Sequence, residues 1–211
     1  MIRPTTLALA LLLGACAAQR TLPVHYDLDG IEVQDPPAPR FDVTIAIPAI
    51  QAPSWLRSTA LVYRLDYAPP AYPRSYALSE WTAPPGELLT LRLRERIAQA
   101  NEGFTLARLP EDANGYRLEV SLENFAQIFP SPNHSRCVVT LRATVLEDGE
   151  QVVAQRTFRS ELPAPSANAA GAVEGLAAAT DADFNQILAW LRETLPTGQA
   201  SALTRTDKRT P

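Results

Sequence analysis

The chain has 211 residues, with 19 Lys and Arg against 23 Asp and Glu, a formal net charge of -4 with neutral histidines, and only 2 cysteines. A mildly acidic balance with scattered basic residues excludes the electrostatic footprint of a nucleic-acid binder, and no polybasic cluster is present to dock the chain on anionic lipid. The length suffices for one domain of ordinary size plus tails.

In chain order, MIRPTTLALALLLGAC comes first: Arg3, an apolar run from Leu7 to Leu13, two small residues, then Cys16. This is the layout of an export signal over residues 1–15. The run is too short for a spanning helix, which needs about 20 apolar residues. Leu13-Gly14-Ala15-Cys16 resembles a bacterial lipobox, in which the signal is cut before the cysteine and acyl chains such as palmitate are attached there; an ordinary secretory signal with a stray cysteine is the alternative. Two or three buried chains, at about 0.8 kcal/mol per methylene, anchor a protein stably. Cys16 is thus the expected lipidation site. Ala17, where aspartate would favour inner-membrane retention in well-studied Gram-negative sorting, implies the periplasmic face of the outer membrane. Loss of Arg3 with the signal moves the net charge to -5. Cys137 is then the one remaining thiol, so an apolar core and not a disulfide must hold the domain.

Residues 16–40 contain four prolines and no clean period, and read as a lipidated extended tether. The folded domain is expected over 41–196. FDVTIAIPAI, 41–50, alternates Phe41, Val43, Ile45 and Ile47 with Asp42, Thr44 and Ala46, a half-buried strand stopped by Pro48. LVYRLDY, 61–67, is a second strand, and Tyr76 to Trp81 a short third. Residues 82–101 predict a helix with Pro84 and Pro85 at its start and Leu89, Leu93, Ile97 and Ala100 on one face.

FTLAR, 104–108, then Tyr116 to Phe129, then the run from Arg136 read as three consecutive antiparallel strands, with turn signals at Asn114-Gly115 and Asp148-Gly149. On the second of these Tyr116, Leu118, Val120 and Leu122 share a face; on the third Cys137, Val139, Leu141, Ala143 and Val145 do. The last helix carries Phe184, Ile187, Leu188, Leu191 and Leu195 on one buried face, after an alanine-rich half that permits close approach. Residues 197–211 are polar and aperiodic and read as a disordered tail. The expected fold class is α+β: a mainly antiparallel sheet of about six or seven strands with two helices packed on one face.

Catalysis needs proton-transfer groups, a metal or a cofactor. His25 lies in the tether and His134 in a loop. His134 and Cys137 have H-x-x-C spacing, but a structural zinc takes four ligands and no second pair follows, so a solvated histidine and a small buried thiol are the better account. No nucleophile elbow or phosphate-binding glycine loop is present. The expectation is a protein that is not an enzyme, with no cofactor and no metal.

PAIQAPSWLRSTALVYRLDYAP, YALSEWTAPPGELLTLRLRERI and GYRLEVSLENFAQIF, in this order after a lipobox, resemble the ABC-type transport auxiliary lipoprotein family, which includes PqiC-like proteins. The resemblance covers roughly residues 41 to 195. It implies a non-enzymatic docking subunit of a transport system in which an MCE-domain protein, with an ABC permease and ATPase, moves lipids or other hydrophobic molecules between the inner and outer membranes. It also implies a possible ring of its own copies. Trp55 and Trp81 are candidate partner-binding anchors, since Trp, Tyr and Arg dominate binding hot spots; aromatics on strands also pack cores, and for these two the sequence leaves both open. Two other functions stay in view: a lipid carrier sheltering an acyl chain, and an envelope-assembly lipoprotein unrelated to transport.

Overall fold

The computed structural model describes residues 21–28, 41–69, 72–110, 114–148 and 150–196. The proposed signal, Cys16 and the polar tail lie outside the described residues. The described residues form eight strands and two long helices: β1 (Val24–Tyr26), β2 (Ile45–Ala46), β3 (Ala60–Leu65), β4 (Arg74–Trp81), α1 (Pro85–Ala100), β5 (Thr105–Leu106), β6 (Tyr116–Ser131), β7 (His134–Glu147), β8 (Gln151–Pro163) and α2 (Ala169–Thr194).

The sheet is built around β6. Along one edge β6 pairs antiparallel with β7, and β7 pairs likewise with β8. Its other edge is shared. The start of β6, at Tyr116 and Arg117, takes β2 in parallel, and β2 takes β5 in parallel. The far end, at Gln127 to Phe129, takes β3 in parallel, and β3 carries β4 antiparallel. The fold is α+β as expected, but the sheet is mixed.

Two expectations are corrected here. β5 does not join the meander: both β5 and β6 flank β2, so Asn114-Gly115 closes no hairpin and the meander is β6, β7 and β8. The stretch read as a tether is partly in the domain. Val24–Tyr26 pair in parallel with Ser79–Trp81, Thr82 donates its N–H to the Tyr26 carbonyl at 2.8 Å, and the Leu28 side chain is buried. Pro23 and the polar neighbours mask a strand of three residues whose partner lies more than fifty positions away.

The helix-facing side of the sheet carries the core. Cys137, Val139, Leu141, Ala143 and Val145 are all fully buried, as their alternation predicts. On β6 the alternation shifts. A bulge between Leu122 and Asn124 inserts one residue, so that Leu118, Val120 and Leu122 are followed by Phe125 and Gln127 on the same face. α1 begins with Pro85 at its first turn, where a missing N–H costs nothing, and buries Leu89, Leu93 and Ile97. α2 is capped by Asn168, whose side chain accepts from the Gly171 N–H at 3.0 Å. Its small-residue half lies tight on β7: a Cβ placed on Gly175 would stand 2.6 Å from the Cys137 sulfur.

The opposite face is polar in part, although Ala126, Ile128 and Val138 are buried on it. Arg136 joins Asp66 and Glu161, with Arg64 on Asp66 and Arg159 on Glu161, in a chain of ion pairs between 2.6 and 3.5 Å. Antiparallel strands tolerate one solvated face in this way.

Candidate docking surface

Among the buried polar side chains of the described residues, Asp181, Gln127 and Asp183 each join separate elements. Asp181 on α2 is held by both Arg92 and Arg96 of α1, with Arg92 Nε and Nη2 on its two oxygens at 2.9 and 2.7 Å and Arg96 Nη1 at 3.0 Å. Arg92 Nη1 also donates to the Leu28 carbonyl at 2.9 Å. One guanidinium thus ties α1 to α2 and to the N-terminal arm. Gln127 accepts from the Tyr76 hydroxyl at 2.6 Å and donates to Ser135 Oγ at 2.8 Å and the Ser166 carbonyl at 3.2 Å. It pins β4, β7 and the entry to α2 together. Asp183 accepts from Ser160 Oγ on β8 at 2.5 Å through Oδ1, while its Oδ2 is buried with no hydrogen-bond partner. Burial pushes its carboxyl up to about 6, against the lowering pull of Ser160 and Arg159.

None of these is joined to a nucleophile and base in a shared cleft. The Cys137 thiol is fully buried under α2, and burial pushes it up to about 12, so it is a packed thiol and not a reactive one. His134 is exposed at the start of β7, its Nδ1 3.2 Å from Ser131 Oγ. His134 and Cys137 therefore point to different environments. Among the described residues no group of three or more His, Cys, Asp and Glu side chains is placed to hold a metal ion.

The two tryptophans singled out in the sequence separate. Trp81 is 1% exposed, its ring centroid 5.6 Å from that of Phe125 in the core. It is not available as a surface anchor, which corrects that expectation; the β6 bulge brings Phe125 round to meet it. Trp55 sits on a single 3-10 turn, Ser54–Leu56, and is 38% exposed. Leu56 plugs this turn into the core, and Arg57 Nε donates to the Ala52 carbonyl at 3.0 Å, closing the loop. Beside the turn runs a groove of about 370 Å³ lined by Ile50, Gln51, Leu56, Arg57, Pro84 and Glu87 among others. Apolar lining residues and one charge of each sign, with an exposed aromatic on the adjoining turn, are the parts of a protein-binding surface.

A second, larger groove of about 580 Å³ opens at the start of β6, with Arg108, Arg117, Glu119, Asp148 and Glu150 in its walls. Phe104, 73% exposed, stands just before β5 at the same end of the sheet. Sequence reasoning missed this surface. FTLAR reads as an ordinary strand, and only the two-residue pairing of β5 leaves Phe104 outside the sheet.

Fold and surface together define a packed α+β domain whose surface carries two grooves and several exposed aromatics. Residues 26–188 match the family model of the ABC-type transport auxiliary lipoprotein component. The chain belongs to this family, an accessory lipoprotein component of ABC-type transport systems and not a catalytic family. Two solved structures share the fold. Protein XCC0632 from Xanthomonas campestris, assigned to the DUF330 family, is 18% identical with a TM-score of 0.65, over 82% of this chain and 93% of that one. An uncharacterized protein is 15% identical with a TM-score of 0.61, over 81% and 99%. No curated protein matches the sequence. Among the described residues no helix is long and apolar enough to cross a membrane.

Proposed function

We propose that the protein is the docking subunit, anchored in the outer membrane through lipid on Cys16, of an MCE-type ABC system moving lipids or other hydrophobic molecules between the two membranes. Family membership over residues 26–188 carries the reading. The groove beside Trp55 supports it, because it offers a partner an aromatic anchor on a rigid turn. In this reading an MCE-domain protein reaching from the inner membrane, with its permease and ATPase, seats on that surface, and copies of the chain assemble around it. The apolar helix faces that a lipid carrier would open as a cavity are packed: Leu89, Leu93, Ile97, Phe184 and Ile187 are fully buried. No second reading is favoured.

The test is affinity purification of the tagged protein from cross-linked envelopes, comparing wild type with Cys16→Ala and Trp55→Ala. Recovery of an MCE protein with its permease and ATPase, lost in Cys16→Ala and reduced in Trp55→Ala, is the expected result. Recovery of assembly or peptidoglycan-associated proteins alone would overturn it.

A further inference from the structure

We infer that the protein stands on the lipid surface in one orientation, with the β3–β4 turn against the membrane and the Phe104 end pointing away. The inference rests on the proposal that Cys16 carries the lipid. Seven residues separate Cys16 from Val24, and the eight chain steps between them, fully extended, span at most about 29 Å. Because Val24–Tyr26 and Leu28 are built into the domain, the length of chain between the lipid site and the domain, its leash, is this short run and not the whole segment to Arg40.

The direction of β1 then selects an end. β1 runs parallel to β4, with Val24 opposite Ser79, so the chain enters β1 from the side at which β4 begins. Arg74, the first residue of β4, lies five residues before Ser79, about 17 Å along the strand and within the leash. That end of the sheet is also the end of β3 and of β6. The Phe104 end lies at the start of β6, and the sixteen residues of β6 put about 50 Å between the two. To bring the Phe104 end to the membrane, the leash would have to double back along the strand it feeds.

The residues displayed at the near end suit a lipid interface. Tyr67 and Tyr72 flank the β3–β4 turn at 44% and 50% exposure, and the Arg74 guanidinium stands 5.0 Å from the Tyr72 ring centroid. Leu22, 81% exposed, precedes β1 on the leash itself. Tyrosines sit readily at headgroup level, ring inward and hydroxyl in water, and an arginine beside them meets phosphate. The orientation leaves the larger groove and Phe104 facing the periplasm.

The experiment uses the full lipidated protein with a fluorophore on a single introduced cysteine, in Tyr72→Cys or Phe104→Cys; native Cys137 is buried and Cys16 is acylated. Each is incorporated into phosphatidylethanolamine and phosphatidylglycerol vesicles containing a phospholipid with a doxyl quencher near its headgroup, and intact mass verifies the acyl chains. The expected result is quenching at position 72 at least roughly threefold stronger than at position 104. Equal quenching at both, quenching confined to 104, or none at either, with the acyl chains present, would overturn the orientation alone. Absence of acyl chains on Cys16 would overturn the anchor and the orientation with it.

Discussion

Replacing Asp183 by Asn should stabilise the protein at pH 8 and lose that advantage at pH 4. Asp183 is fully buried between α2 and β8, with one oxygen on Ser160 and the other without a partner. Its carboxyl is raised from the usual 3.8 to about 6, mainly by burial. A raised acid binds a proton in the folded state where the unfolded chain has released it, so stability falls as pH climbs from about 4 to about 6 and then stays low. At 1.36 kcal/mol per tenfold step, the gap between 3.8 and about 6 amounts to about 3 kcal/mol once both states are ionised. Asn keeps the acceptor for Ser160 and carries no charge, but buries an amide that needs a partner, which costs about 1 kcal/mol at every pH. The net expectation is a gain of about 2 kcal/mol at pH 8 and a loss of about 1 kcal/mol at pH 4. Urea titrations of both proteins between those limits give the difference directly. A mutant-minus-wild-type stability that is flat with pH would refute the reasoning, because a neutral replacement changes nothing with pH only if Asp183 titrates normally.

Gly175→Ala should destabilise by about 1–3 kcal/mol, because its methyl meets the Cys137 sulfur at 2.6 Å. The same change in a Cys137→Ala background should cost less, since the nearest remaining atom is then the β-carbon at 3.2 Å; urea titration of the cycle checks both. Asp181→Ala should cost about 3 kcal/mol or more by leaving Arg92 and Arg96, 13% and 11% exposed, without their shared carboxylate, with faster hydrogen exchange at Tyr26 to Leu28 as the local readout. Cys137 should resist maleimide in the native protein at neutral pH and react promptly in denaturant, as mass spectrometry would show; native modification would contradict its burial.

Much of the molecule is written in local pattern. The stripe on α1, the face of α2 and the alternation through β7 each follow from a helix or strand repeat imposed by burying one side, and each can be read without knowing the partner. Tertiary structure decided what depends on residues distant in the chain. It drew Val24 to Tyr26 out of the tether and onto β4, and it placed β2 and β5 beside the start of β6 instead of in a meander. Strand pairing is a contact between separate segments, and a three-residue strand carries too little period of its own to declare one. The two tryptophans part for the same cause: Trp81, at the end of β4, meets Phe125 of β6 in the core, while Trp55 stays at the surface on a turn held by Leu56. Composition determines that aromatics must be sheltered or used; only the packing of distant segments determines which of these two is sheltered.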